Sequence, residues 1–258
     1  MAFRTLFKRF SSRSALAILF VIACLPWSSL ISLAQESTMS SPMVVSEAWF
    51  PGITMDTAFI QDFAVLDVAP GAGTFPHFHG GHHVVTVLDG AVTVNEDGVE
   101  RVYQAGQSFI EPIEHEHQIY NDGDLPARLV ATTLLGEGGE MTTVTSEEGP
   151  ERPGLTVVHE LAVPDLTMDG LFAMLLQVLE FGPGAGIPLH TVGGPHLVLV
   201  LEGAVTVSED GVDTIYETGQ SFTKTPGQVQ ELVNAGDVPA RVAASWLLPI
   251  AAPTSFQP

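Results

Sequence analysis

Cysteine is nearly absent from this chain of 258 residues: the one copy, Cys24, sits in an apolar stretch near the N-terminus. A disulfide framework is therefore excluded, and stability has to come from hydrophobic cores. Basic residues are scarce as well. Nine Lys and Arg stand against 30 Asp and Glu, a formal charge of −21. Four of those nine, Arg4, Lys8, Arg9 and Arg13, crowd the N-terminus, so the remainder is more acidic still and holds only Arg101, Arg128, Arg152, Lys224 and Arg241. A surface of that sign repels nucleic acid and anionic membranes, so neither is expected as a partner; its usual role is solubility. Beyond the N-terminus no long stretch of helical period occurs, and an all-β chain is expected.

What the N-terminus does hold is a leader. Its four basic residues precede an apolar run over 15–24, and Ser32-Leu33-Ala34 offers the small residues of a cleavage site. Residues 1–34 read as a signal peptide cleaved after Ala34, which implies a secreted or cell-envelope protein. One alternative is a lipoprotein box, Val21-Ile22-Ala23-Cys24, with Cys24 lipidated; the apolar continuation over 25–33 speaks against it. An uncleaved anchor is the third reading, weakened by Pro26 and the short apolar core.

The rest of the chain repeats itself. An offset of 113 lays Pro183-Gly184-Ala185-Gly186 on Pro70-Gly71-Ala72-Gly73 and continues without a gap to Arg241 on Arg128. Two modules of about a hundred residues follow, each large enough for a core. Short β-branched runs over 84–88, 91–95 and 99–103 are separated by Asp89-Gly90 and Asp97-Gly98, and Glu202-Gly203 and Asp210-Gly211 repeat the pattern. These are hairpin signals, and many short strands at such spacing imply a sandwich or barrel. The expected boundaries are a tether at 35–43, a first module at 44–140, a linker at 141–153, a second module at 154–250 and a frayed tail at 251–258. Residues 141–145 carry a strand pattern inside the linker.

Against that background the histidines of the first module stand out. His77, His79 and His83 follow Gly71, and His117 follows Gly106 and Pro112. Residues two apart on a strand share a face, so His77 and His79 point one way and Phe78 the other. Four imidazoles at such spacings point to a borderline divalent metal. His82 and His115 fall outside the pattern, and Asn121 or Glu116 are candidate acceptors for the ligands' second ring N–H. The second module keeps His190 and His196 but replaces His79 by Val192 and His117 by Gln230. That leaves a weak set, His190, His196 and Gln230.

The two runs, Gly71-x5-His77-x-His79-x3-His83-x6-Gly90 and Gly106-x5-Pro112-x-Glu114-x2-His117-x3-Asn121, resemble the paired motifs of the cupin superfamily, and the resemblance covers both halves. It implies a bicupin: an all-β chain of two tandem double-stranded β-helix (jelly-roll) barrels after the signal peptide. It places His77, His79 and His117 on the family's histidine ligands. His83 stands where the family carries glutamate, and Glu114 replaces the glycine of the Pro-x-Gly turn, which puts that turn's conformation in question. Four neutral imidazoles would leave the metal's full charge to be offset by a bound anion, and would favour Zn, Fe, Cu or Ni over harder ions. The superfamily's enzymes include dioxygenases, decarboxylases, lyases and isomerases, so the implied function is metal-dependent chemistry on a small oxygenated or anionic molecule. Glu111 and Tyr120 lie close enough to His117 in sequence to handle protons. The alternatives are an exported module that captures a metal or small ligand without turnover, or a structural pair of barrels; a small molecule is the expected partner, with homo-oligomer formation compatible.

Overall fold

A computed structural model describes residues 39–148, 152–250 and 255–256. The expected signal peptide and most of the tail lie outside the described residues, and among the described residues no helix is long and apolar enough to cross a membrane. Every regular element among the described residues is a strand. The first half supplies β1 (Met43–Ile53), β2 (Phe59–Val68), β3 (His77–Phe78), β4 (His82–Asp89) and β5 (Ala91–Glu96). It continues with β6 (Val99–Gln104), β7 (Ser108–Glu111), β8 (His117–Tyr120), β9 (Ala127–Gly136) and the short β10 (Thr143–Val144), the strand expected inside the linker. The second half repeats the series as β11 (Leu155–Leu166), β12 (Phe172–Phe181), β13 (Gly186–Val192), β14 (His196–Glu202) and β15 (Ala204–Glu209). It closes with β16 (Val212–Glu217), β17 (Ser221–Lys224), β18 (Val229–Val233), β19 (Ala240–Pro249) and β20 (Ser255–Phe256). The last pairs with β13 as β10 pairs with β3, so this part of the tail is ordered backbone and not a frayed end.

Four five-stranded antiparallel sheets form two barrels. Sheet β11-β2-β9-β4-β7 faces β10-β3-β8-β5-β6, and sheet β1-β12-β19-β14-β17 faces β16-β15-β18-β13-β20. The hairpins turn where the sequence places Asp-Gly: Asp97 and Asp210 take left-handed φ of 52° and 50°, each followed by a glycine that is also left-handed, the conformation a two-residue hairpin turn requires. Each barrel fills its interior with its own alternating residues, Val85, Val87, Val92 and Phe109 in the first and Val198, Val200, Val205 and Phe222 in the second.

One feature departs from the boundaries at 44–140 and 154–250. The two modules exchange their first strands: β1 pairs with β12 of the second barrel, and β11 pairs with β2 of the first. The physical reason is a third core, between the barrels, which contains Phe59, Phe63 and Leu134 from one half and Phe172, Met174 and Leu247 from the other. Repeat-related Thr132 and Ser245 meet within it, their hydroxyls 2.7 Å apart, and Gln61 donates to Ser245 at 2.8 Å.

Candidate metal centre

The site is assembled by two strand pairings in the first barrel. His77 on β3 lies opposite His117 on β8, His79 follows directly after β3, and His83 on β4 lies opposite Glu111 on β7. His77, His79 and His117 are 4%, 6% and 1% exposed, so these imidazoles are held in the barrel interior. The structure thus brings all four predicted histidines together. Ligating atoms of His77, His79 and His117 cluster within 4.8 Å, and His79 also joins a second cluster with His83 and Glu111.

Orientation is set by the backbone. His77 Nδ1 donates to the Phe75 carbonyl at 2.9 Å, His79 Nδ1 to the Met141 carbonyl at 2.7 Å, and His117 Nδ1 to the His115 carbonyl at 3.0 Å. Donation from Nδ1 fixes the tautomer and leaves the Nε2 lone pair free to ligate, the arrangement found at metal-binding histidines. The acceptors are main-chain carbonyls, not the candidate side chains Asn121 or Glu116. Asn121 instead ties loops together, donating to the Val68 and Leu125 carbonyls and accepting from Gly123 N–H.

Glu111 changes the chemistry of the site. It is fully buried, its carboxylate oxygens lie 3.1 Å from His79 Nε2 and 3.1 Å from His117 Nε2, and it contacts His83 Nδ1. Burial would raise its pKa, but the interaction with His83 and the close approach of the His117, His79 and His83 rings outweigh burial and hold it well below the ordinary carboxylate range. Burial lowers His77 to about 4, with the His117 charge adding to it, and lowers His83 despite Glu111; for His117 the carboxylate overcomes burial and raises the pKa. The expectation of an uncompensated set of four neutral imidazoles is therefore corrected. The carboxylate the motif lacks at position 83 arrives from the neighbouring strand at 111. With an oxygen donor present, the argument for Zn, Fe, Cu or Ni over harder ions, which rested on an all-imidazole set, loses its ground.

Other sequence candidates fall elsewhere. The Tyr120 hydroxyl donates to Glu100 at 2.6 Å and its ring lies under the Arg152 guanidinium, so it takes no part in the site. His82 packs edge-on against Phe50, and His115 is a half-buried neighbour of Asp97. Glu114 adopts φ of +57° where its repeat equivalent Gly227 has +84°, so the turn keeps its shape despite the side chain.

A cavity of about 340 Å³ adjoins the histidines; His77, His79 and His83 form its polar end, and Leu66, Val85, Ile119, Leu129 and Leu155 line much of the rest. In the second barrel no group of three ligating side chains forms among the described residues. Gln230 Nε2 lies 3.4 Å from His190 Nε2, and His196 stacks on Trp246 with ring centroids 3.6 Å apart. Lys224 occupies the position of Glu111, opposite His196 and 2.5 Å from Glu209. Burial, helped by the His190 and Lys224 charges, pushes His196 down to about 3.

The cupin domain family matches residues 64–133 and again 177–247. The chain belongs to the cupins. Both copies of the domain span the strands that build the two barrels, so the protein is a bicupin. Among solved structures it is similar to AerE from Microcystis aeruginosa, with 15% identity over 81% of this chain and 98% of that one at a TM-score of 0.52. It is also similar to a mutant oxalate decarboxylase from Bacillus subtilis, with 12% identity over 84% and 79% of the two chains at a TM-score of 0.53. At such identities these likenesses carry the fold alone. No curated protein matches by sequence.

Proposed function

We propose that this bicupin is exported and binds one divalent transition metal in its first barrel, through His77, His79 and His117 with Glu111 as the carboxylate donor and His83 beside it. The observation that carries this reading is an electrostatic mismatch that a cation resolves. With each Nδ1 donating to a carbonyl, neutral His79 and His117 would turn Nε2 lone pairs toward the oxygens of an ionised carboxylate at 3.1 Å, a mismatch relieved when a cation joins the cluster, either a proton on His117 or a metal ion. Acceptors facing acceptors in a dry interior are costly, and both Glu111 oxygens and His117 Nε2 are without a well-formed hydrogen bond. A divalent ion held by these residues would take up the Nε2 lone pairs and offset the carboxylate charge.

The metal would supply Lewis-acid or redox chemistry, and the adjoining cavity supports a metal-dependent enzyme acting on a small organic molecule. A capture protein without turnover is the second reading, supported by the number of available donors: four imidazoles and a carboxylate are enough to close a coordination shell. Export rests on the leader sequence. Elemental analysis of the purified protein tests the reading, with about one metal per chain expected and loss of that metal in His79→Val, which copies Val192 of the second barrel. Full metal content in His79→Val would refute the ligand set. Perturbation of the cobalt-substituted spectrum by azide separates an open enzyme-like site from a closed one.

A further inference from the structure

The cavity beside the histidines differs in character from a site for small dianions. Its lining, apart from the three histidines, is Thr74, Thr142 and apolar side chains, and includes no Lys or Arg. Nor is a cation free to reach in. Each of the five basic residues in the described part is already paired: Arg101 with Glu96, Arg128 with Asp67, Arg152 with Asp122, Lys224 with Glu209, and Arg241 with Asp89 and Glu202. Glu111 cancels one of the two charges a divalent ion would bring, so the polar end accommodates one further negative charge at most without leaving an excess. A second charge on the ligand would sit among Leu66, Leu129 and Leu155, where an unpaired ion is strongly disfavoured.

From these features, and resting on the metal site proposed above, we infer the ligand class: a small, largely apolar molecule with a single oxygen-donor head, uncharged or monoanionic, whose body fills the cavity while the head meets the metal. A volume of about 340 Å³ is at the small end for ligand pockets and suits a single ring or a short branched chain. Val144 and Val157 also line the cavity and are 50% exposed each, so the ligand enters between β10 and the exchanged strand β11. This narrows the sequence expectation of an oxygenated or anionic molecule: the anion, if present, is confined to one end.

The test uses three carboxylates with the same head. Benzoate has the apolar body, acetate lacks it, and terephthalate carries a second carboxylate at its far end. They are titrated into the cobalt-loaded protein and followed by visible absorption, with thermal shift as a second readout. Benzoate is expected to bind at least about tenfold more tightly than either of the others. The exposed-rim variant Val157→Asp should weaken benzoate by a similar factor while leaving cobalt content unchanged. Equal affinity for terephthalate, or for acetate, would overturn the ligand class while leaving the metal reading intact. If cobalt fails to bind but benzoate still raises the melting temperature of the metal-free protein above the other two, the ligand class stands and the metal reading falls; no benzoate effect in either form overturns the class.

Discussion

At the residue scale the site turns on where its carboxylate sits. Glu111 shares strand parity with buried Phe109, and that alternation, visible in Ser108-Phe109-Ile110-Glu111, is the signal that it points into the barrel. Sequence proximity suggested only a proton-handling role, because its partner His83 lies 28 positions away and meets it solely through the pairing of β4 with β7. Glu111→Gln keeps the shape and removes the charge, so metal affinity is expected to fall by about 10–100-fold, measured by competition with a chelator. The swapped variant His83→Glu/Glu111→His returns the carboxylate to the motif position and should recover most of that loss. The second prediction concerns Glu114, a non-glycine residue at φ +57°. A side chain in that region costs roughly 1 kcal/mol relative to glycine, so Glu114→Gly should stabilise the fold by that amount in chemical denaturation, without changing metal content.

At the element scale the seam between β2 and the exchanged β11 carries a pH dependence. Asp62 on β2 is 6% exposed, and burial, reinforced by Glu160 on β11, raises its pKa from 3.8 to about 6. The native state therefore binds this proton more tightly than the unfolded chain does. Stability from Asp62 is present at low pH and is lost as pH rises from about 4 to about 6. Asp62→Asn should remove that loss, raising stability above pH 6 by on the order of 1–3 kcal/mol and leaving it little changed near pH 4, as read from thermal unfolding at the two pH values. The strands themselves were legible from the β-branched runs and Asp-Gly turns, as were the four converging histidines, because period-two patterning and local turn chemistry act within a few residues. The exchange of β1 and β11 was not. Both strands obey the same alternation whichever barrel they join, and only the fit of the inter-barrel core selects the partner.

At the scale of the whole molecule, that exchange makes the two barrels one cooperative object. Removing either half would strip a strand from the other half's sheet and expose Phe59, Phe63, Phe172 and Met174, which are buried against one another between the barrels. The proposed metal site is nevertheless confined to one side: Lys224 replaces Glu111, and Trp246, buried and stacked on His196, takes the place of Thr133. A buried ammonium repels a dication, so the second barrel acts as a partner for the first and the stoichiometry should be one metal per chain. Calorimetry joins the two statements. Because unfolding of either barrel opens the shared core, a single thermal transition is expected, and because the metal binds only the folded state, chelation should move that whole transition down without splitting it. Two separate peaks, with only one of them sensitive to the chelator, would mean that the barrels unfold independently and that the exchanged strands do not couple them.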